Sequence, residues 1–260
     1  IPEPMITISG TVSIDQAMQY YARAHADAHL DAKGLAVHIG SQIKDLTPLE
    51  SAFRLMRGMT EKLRSAGLSI ERLDLGGGLG VPYFNEPAPP SPSDYAAMVN
   101  TVFGGLDIKL AFEPGRMIAG NAGVLLSRVI RTQERPSRPI LVLDAGMNDL
   151  IRPAIYDAYH GIKPLREPTT SAETAYDVVG PICETGDTFT RNRALPALAP
   201  GDLVAFMTAG AYGATMASTY NARALVPEVL VRGDQYELVR RRWTLDEQLA
   251  LEKLPDWIEN

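Results

Sequence analysis

Apolar residues recur at helical spacing in three segments of the first half of the chain. Ser13 followed by Gln16 predicts a capping box that opens the first helix. The sequence Thr47-Pro48-Leu49-Glu50 predicts a second box, with proline at the first helical position. Ser93 predicts the N-cap of a third helix, after the proline-rich loop 87–92. The apolar stripes of the first two predicted helices are Ile14, Ala17, Met18 and Tyr21, and Leu49, Phe53, Met56 and Leu63.

Three short apolar runs lie between or beside these helices and predict buried strands. They are Leu35–Ile39, Leu73–Leu75 and Leu110–Phe112. Each run leads straight into glycine and polar residues, and the steps from His38 to Gly76 and from Gly76 to Glu113 are 38 and 37 residues. One strand, one helix and two loops fill such a step, which is the βα unit of a parallel sheet or barrel. We therefore predict an α/β fold, a partial (β/α)8 TIM-type barrel, over residues 1–122.

Helical patterns become scarce after residue 122. Short apolar runs follow instead, and glycine and proline punctuate them, as in Pro200-Gly201-Asp202. We predict a mostly antiparallel β domain over residues 123–260. The predicted strands are Val124–Thr132, Pro139–Asp144, Ala175–Gly180, Asp202–Thr208, Glu228–Val231 and Asp234–Arg242.

The composition is that of an ordinary globular protein. Of the 260 residues, 25 are Lys or Arg and 31 are Asp or Glu, and the formal net charge of −6 argues against nucleic acid or an anionic membrane as the main partner. No apolar run is long enough to cross a bilayer. The first residues, Ile1-Pro2-Glu3-Pro4, lack the basic and apolar regions of a signal peptide. A single cysteine, Cys183, excludes an internal disulfide and a cysteine zinc cluster. These features fit a cytoplasmic enzyme.

Four features at the predicted strand ends or loops offer chemistry, and each has a plainer alternative. The Gly76-Gly77-Gly78 triplet could cradle a phosphate with its N–H groups or simply form a tight βα turn. Glu113 and Arg116 offer a carboxylate and an anion-binding fork, or a salt bridge at a barrel rim. His38 could be a catalyst or a core histidine, and Cys183 a functional thiol or a small buried hydrophobe.

Five motifs in order resemble one known family. The chain resembles the fold-type III pyridoxal-phosphate (PLP) decarboxylases, which pair an alanine-racemase-like barrel with a β domain. The resemblance extends from about Ser13 to the last predicted strand. The motifs are His38-Ile39-Gly40-Ser41-Gln42, Asp74-Leu75-Gly76-Gly77-Gly78, Glu113-Pro114-Gly115-Arg116, Gly180-Pro181-Ile182-Cys183-Glu184 and Gly210-Ala211-Tyr212-Gly213.

The resemblance implies pyridoxal 5'-phosphate as the cofactor and assigns roles to the matching positions. Glu113 is expected to pair with the pyridinium nitrogen and keep it protonated, so that the ring accepts electrons as CO2 leaves. Cys183 is expected to donate a proton across the interface of a homodimer with shared active sites. His38 is expected against one face of the cofactor ring. The phosphate is expected to contact Ser41, the backbone of Gly76, Gly77, Gly78, Gly115 and Arg116, and Tyr212.

The segment 152–160 resembles the stretch that marks the diaminopimelate-specific members of this family. Ornithine-type members typically carry Asp after the cysteine, whereas this chain has Glu184. The implied reaction converts meso-2,6-diaminopimelate, a small amino acid, into L-lysine and CO2. The alternatives are a related decarboxylase for ornithine, arginine or carboxynorspermidine, and a non-catalytic regulatory homologue. Arg152 and Arg116 would clamp substrate carboxylates, with Tyr156 assisting, and Glu184 would accept from the ammonium. Tyr212 would reach both the phosphate and the substrate.

One expected feature of the family has no match in this sequence. The Schiff-base lysine belongs to an early barrel strand with a Tyr-x-x-Lys-x-Asn-like sequence, and no lysine here has that context. A full barrel takes about 250 residues, and only about half that length precedes the predicted β domain. We therefore expect the first barrel strands to be missing, and this sequence alone to be inactive. The lysines are Lys33, Lys44, Lys62, Lys109, Lys163 and Lys253.

Overall fold

The computed structural model describes residues 12–83, 88–166 and 172–258. The chain divides into two compact units between Ala119 and Gly120, three residues before the boundary predicted after residue 122. Residues 1–4, for which no signal peptide is predicted, and the first residue of the proline-rich loop 87–92 lie outside the described residues.

The first unit is an α/β structure built on a small parallel sheet. The strand order is β1-β2-β3, and Leu73 of β2 lies opposite Leu35 on one side and Leu110 on the other. The predicted α/β class is therefore confirmed for this unit, although each strand is only three residues long. The elements are α1 (Ile14–Ala26), β1 (Gly34–Ala36), α2 (Thr47–Ser65), β2 (Arg72–Asp74), α3 (Pro92–Phe103), β3 (Lys109–Ala111) and α4 (Gly115–Ala119).

The helix starts agree only in part with the predicted caps. The Ser13–Gln16 capping box is present. The third helix is capped by Ser91 rather than Ser93, because Pro92 suits the first helical position and Asp94 completes the box. The predicted Thr47 box is also wrong.

The start of α2 is held by the residue two positions before Thr47. The Asp45 carboxylate accepts from the Thr47 amide at 3.0 Å and from the Thr47 hydroxyl at 2.9 Å. The Thr47 hydroxyl is therefore a donor to Asp45 and does not accept from the helix amides. This network lowers the pKa of Asp45, because hydrogen bonds from the Thr47 backbone and side chain favour its charged form.

The helix α2 supplies the core of the first unit. Its predicted apolar stripe is buried, and Phe53 and Leu63 are fully buried. They belong to one cluster with Leu73 of β2 and Phe103 of α3. Burying a Leu or Phe side chain stabilises a fold by about 1.5–3 kcal/mol, so this stripe fixes the helix against the sheet.

The second unit is built on a six-stranded sheet with the order β6-β9-β4-β5-β7-β8. Strands β5 and β7 pair in parallel, and the other neighbours pair antiparallel. The remaining two strands form an antiparallel hairpin. The elements are β4 (Leu125–Gln133), β5 (Ile140–Leu143), α5 (Arg152–Tyr156), β6 (Ile162–Pro164), β7 (Glu173–Val179), β8 (Thr188–Pro196), β9 (Leu203–Phe206), β10 (Glu228–Arg232), β11 (Gln235–Arg240) and α6 (Leu245–Leu249).

Two strands of this sheet, β6 and β8, and the short helices α5 and α6 of this unit were not predicted. In β8 the buried apolar residues Phe189 and Leu195 are separated by residues 190–194, which include the polar run Arg191-Asn192-Arg193. Asn192 has a positive φ of 54°, and the pairing with β7 shifts register in this region. A bulge thus interrupts the alternation that identifies a strand. In the part of the chain that the structure describes, no helix has the length and apolar character needed to cross a membrane.

Candidate active site

Backbone hydrogen bonds continue past the strands of the first unit and hold the three following loops together. The Val37 amide donates to the Asp74 carbonyl at 2.9 Å, and the Leu75 amide donates to the Ala111 carbonyl at 3.0 Å. The Glu113 amide then donates to Gly76 at 2.8 Å. The motifs that follow β1, β2 and β3 therefore meet at the carboxyl edge of the parallel sheet, where βα proteins build their sites.

The glycine triplet at this edge lies directly against the neighbouring backbone. A Cβ atom on Gly77 would lie 2.2 Å from the Glu113 carbonyl oxygen, and one on Gly76 would lie 2.3 Å from the Val37 oxygen. Gly76 and Gly78 also have positive φ values of 65° and 104°. The buried Asp74 carboxylate accepts from the Gly76 amide at 2.8 Å. The turn requires glycine sterically, and it exposes no side chain that would obstruct a ligand.

A guanidinium and two hydroxyl groups lie together at the same edge. Arg116, in α4, donates from Nη2 to the Ser41 hydroxyl at 3.0 Å and from Nε at 3.3 Å. It also donates to the Tyr83 hydroxyl, and its guanidinium carbon lies 5.7 Å from the centre of the Tyr83 ring. A planar guanidinium beside a serine hydroxyl is a donor set suited to phosphate or carboxylate oxygens.

His38, Glu113 and Gly115 are exposed at this edge. The His38 Nδ1 atom lies 3.4 Å from the Gly77 amide, a long contact in which the ring nitrogen accepts. His38 is therefore not the satisfied core histidine that was the plain alternative. The structure brings His38, Ser41 and the residues from Glu113 to Arg116 to one end of the sheet.

In the second unit, Cys183 is exposed on a loop that a buried carboxylate holds in shape. The Asp187 Oδ2 atom accepts from the Ile182 amide at 2.6 Å, and Oδ1 accepts from the Met147 amide at 2.7 Å. Burial raises the pKa of Asp187, although the amides of Ile182 and Met147 oppose the shift. The exposed Glu184 is oriented by a 3.4 Å contact to the Tyr220 hydroxyl.

Arg152 is buried in the second unit and contacts a buried histidine. Its Nη1 atom lies 2.8 Å from His160 Nε2, and His160 Nδ1 lies 2.9 Å from the Met207 carbonyl oxygen. Tyr156, at the end of the same helix, is 65% exposed. Tyr212 is exposed too and has a positive φ of 59°.

Five side chains of these networks were not among the predicted site residues. They are Asp74, Tyr83, His160, Asp187 and Tyr220. His160 ends the segment 152–160, and Asp187 follows Glu184 by three residues, so both lie within or beside recognised motifs. For Tyr83 no signal in the sequence indicated a contact with Arg116. Within residues 12–83, 88–166 and 172–258, no group of three or more His, Cys, Asp or Glu side chains could hold a metal ion.

A model of a known protein family matches most of the chain. The family model described as the pyridoxal-dependent decarboxylase C-terminal sheet domain covers residues 12–210. The chain therefore belongs to the pyridoxal-dependent decarboxylase family.

Individual relatives show which members of this family the chain resembles. The chain is 47% identical over 249 residues to the diaminopimelate decarboxylase of Zymomonas mobilis, covering 95% of this chain and 58% of the relative. It is 47% identical over 243 residues to that of Pseudomonas aeruginosa, covering 94% and 58%. The crystal structure of Helicobacter pylori diaminopimelate decarboxylase complexed with L-lysine superimposes with a TM-score of 0.86 at 36% identity, covering 92% of this chain and 59% of that one. The chain thus spans less than two thirds of these relatives.

Proposed function

We propose that the chain is part of a PLP-dependent carboxy-lyase that converts meso-2,6-diaminopimelate into L-lysine and CO2. The observation that carries the proposal is the donor set formed by Ser41, Arg116 and the glycine turn at one edge of the parallel sheet. The relatives that are 47% identical over almost the whole chain bear the name of this activity, which favours diaminopimelate over other amino acids.

The residues at the strand ends fit the cofactor. The phosphate would contact Ser41, the Arg116 backbone and Gly115, whose Cβ position is open space, while the backbone of Gly76–Gly78 allows close approach. Glu113, exposed at the same edge, would hold the proton of the pyridinium nitrogen. His38 would lie against the ring face.

When bound, PLP supplies the electron sink for decarboxylation, and the chain's own residues would bind the substrate and move the proton. The Cys183 thiol would deliver a proton to the substrate carbon that loses CO2, a general-acid role that needs an accessible donor. Its exposure on a braced loop supports this role. Tyr212 would reach both the phosphate and the substrate.

The far end of diaminopimelate carries a carboxylate and an ammonium group, and the chain offers partners for both. Arg152 and Arg116 would bind carboxylates through their planar forks, with Tyr156 beside Arg152 on α5. Glu184 would accept from the ammonium. A site with such partners rejects substrates that lack the far carboxylate, because a desolvated arginine would lose its anion.

We further propose that the first unit is part of an alanine-racemase-like (β/α)8 barrel, and that the protein is a homodimer whose subunits share active sites. The alternation of parallel strands and helices in the order β1-β2-β3 supports the barrel. The dimer follows from the family resemblance of the Cys183 motif.

A substrate panel tests the proposed function. Protein expressed from the complete natural gene and loaded with PLP is incubated with meso-diaminopimelate, ornithine, arginine or carboxynorspermidine, and CO2 and amine products are measured. We expect kcat/KM for diaminopimelate to exceed the others by about a hundredfold or more, since loss of a charged partner in a desolvated site costs several kcal/mol. A preference for ornithine or arginine would refute the substrate assignment. Absence of turnover with all four would favour a regulatory homologue.

A further inference from the structure

Gln42, in the loop after β1, has an unfavourable backbone conformation beside the candidate cofactor site. Its φ is 59°, in the left-handed region that favours glycine. A residue with a long side chain is uncommon there, and such a conformation persists only where surrounding contacts impose it. Gln42 follows Ser41, whose hydroxyl accepts from Arg116. The contacts that hold Gln42 therefore also restrain the backbone of Ser41.

The Gln42 side chain binds both backbone groups of one residue in the loop after β2. Its Nε2 atom donates to the Val81 carbonyl at 2.6 Å, and its Oε1 atom accepts from the Val81 amide at 3.2 Å. Val81 is buried, and buried backbone groups need hydrogen-bond partners. Because a primary amide offers a donor and an acceptor side by side, Gln42 satisfies both groups as a paired strand would.

Backbone hydrogen bonds join the same two loops next to this side-chain pair. The Ile43 amide donates to the Gly78 carbonyl at 2.8 Å, and the Gly80 amide donates to the Ile43 carbonyl at 3.0 Å. The two loops lie close together, since a Cβ atom on Gly78 would lie 2.5 Å from the Gly40 carbonyl oxygen. The side chain of Gln42 therefore extends a short ladder of hydrogen bonds between the loops.

The two loops that Gln42 joins carry groups proposed to contact the cofactor phosphate. Ser41 belongs to one loop, and Gly78 belongs to the other, which leads on to Tyr83, a partner of Arg116. A phosphate that contacts both loops binds best when they are held together beforehand, because ordering a loose segment on binding costs affinity. We propose that Gln42 is a positioning residue that fixes the two loops for binding of the PLP phosphate. This proposal rests on the proposed function, because it takes this edge of the sheet as the cofactor site.

Two ligands that differ by one phosphate group test the proposal directly. Pyridoxal has the same ring as PLP but carries a hydroxyl group in place of the phosphate. Binding of each ligand to the apo form of the protein expressed from the complete natural gene is followed by absorbance for the wild type, Gln42→Met and Gln42→Gly. Methionine has a similar length but cannot pair with both backbone groups of Val81. Glycine also removes the pair, and it adopts a positive φ without steric cost.

We expect both variants to weaken PLP binding about tenfold, because the freed loops must be ordered when the phosphate binds, and pyridoxal binding by less than about twofold. Ser41→Ala is the positive control, since it removes a proposed phosphate contact and should show the same selectivity. Val102→Ala, in the buried core of the first unit, is the control for general destabilisation and should not weaken PLP selectively.

The glycine variant keeps the test decisive if Gln42→Met does not fold, because glycine relieves the backbone strain that methionine retains. Equal weakening of both ligands, or unchanged PLP affinity in a folded Gln42 variant, would overturn the proposal while leaving the proposed function intact. Equal weakening would mean that Gln42 only stabilises the fold. A wild-type protein that neither binds PLP nor decarboxylates diaminopimelate would overturn both proposals.

Discussion

At the scale of single residues, Gly77 lies in a site motif at a position where steric contacts alone require glycine. Its Cβ position lies 2.2 Å from the backbone oxygen of Glu113, so any side chain must push the loop after β3 away. That loop carries Glu113 and leads to Arg116. A substitution at Gly77 should therefore disturb both the fold and the geometry of the candidate cofactor site.

We predict that Gly77→Ala lowers the free energy of unfolding by about 1–3 kcal/mol, the usual cost of overpacking a buried position. Gly58, inside α2, has no neighbour within 4 Å of its Cβ position. Gly58→Ala should stabilise the protein by about 0.5–1 kcal/mol, because alanine favours the helix. Urea unfolding of the two variants measures the contrast. Equal effects of the same sign would mean that the glycine turn relaxes freely around a methyl group.

At the scale of elements, the sequence patterns locate some strands closely, whereas two of the three predicted helix caps are wrong. The predicted runs Leu73–Leu75 and Pro139–Asp144 lie within one residue of β2 and β5 at each end. Apolar content and alternation identify such strands because burial itself selects those residues. A cap, by contrast, depends on the turn before the helix. Asp45 rather than Thr47 is the acceptor at α2, and nothing in the spacing of the apolar stripe distinguishes them.

The candidate site could likewise be predicted only in part from the sequence. The meeting of His38, Gly76 and Glu113 could be predicted, because parallel strands bring their carboxyl ends to one edge. The hydrogen bonds that hold the candidate site residues of the second unit in place could not be predicted. Asp187 binds the Met147 amide 40 positions away, and His160 contacts the Met207 carbonyl 47 positions away. Such contacts depend on how the six-stranded sheet folds, which no local pattern encodes.

The Cys183 loop leads to a prediction about pH. Burial raises the pKa of Asp187 above its ordinary value of 3.8, so the folded protein binds the proton more tightly than the unfolded chain. Its contribution to stability is fully present below pH 3.8 and is lost as the pH rises through the raised pKa. Stability attributable to this group must therefore fall with increasing pH across that window.

We predict that Asp187→Asn removes this part of the pH dependence. The variant should also lose about 1–3 kcal/mol of stability at neutral pH, because its single carbonyl oxygen cannot accept from both the Ile182 and the Met147 amide. Urea unfolding between about pH 4 and 7 measures both effects. Asp149, whose pKa burial also raises, supplies the control variant Asp149→Asn, which should remove its own part of the slope. An unaltered slope in Asp187→Asn would show that the loop carboxylate does not titrate in this range.

At the scale of the whole molecule, the proposed homodimer requires each active site to combine residues from two subunits. Glu113, the proposed partner of the pyridinium nitrogen, belongs to the first unit, and Cys183 belongs to the second. If Cys183 serves the site of the partner subunit, each active site needs an intact Glu113 from one subunit and an intact Cys183 from the other. In a two-fold symmetric dimer both contributions occur twice.

We predict that Glu113→Ala and Cys183→Ala proteins recover activity when their subunits are mixed. Cys183→Ala should be slowed by about 10²–10⁴-fold, the usual contribution of a proton-transferring group, and its cofactor absorbance should stay near that of the wild type. Glu113→Ala should be slowed as well, because the ring loses the carboxylate that keeps its nitrogen protonated. Random exchange makes half of the dimers mixed, and each mixed dimer has one site with both residues intact. The mixture should then regain about a quarter of wild-type turnover, as expected for isologous pairing. Mass spectrometry of differently tagged subunits verifies the exchange. Proven exchange without recovered activity would show that Cys183 serves its own chain, and full turnover in Cys183→Ala alone would remove the thiol from the reaction.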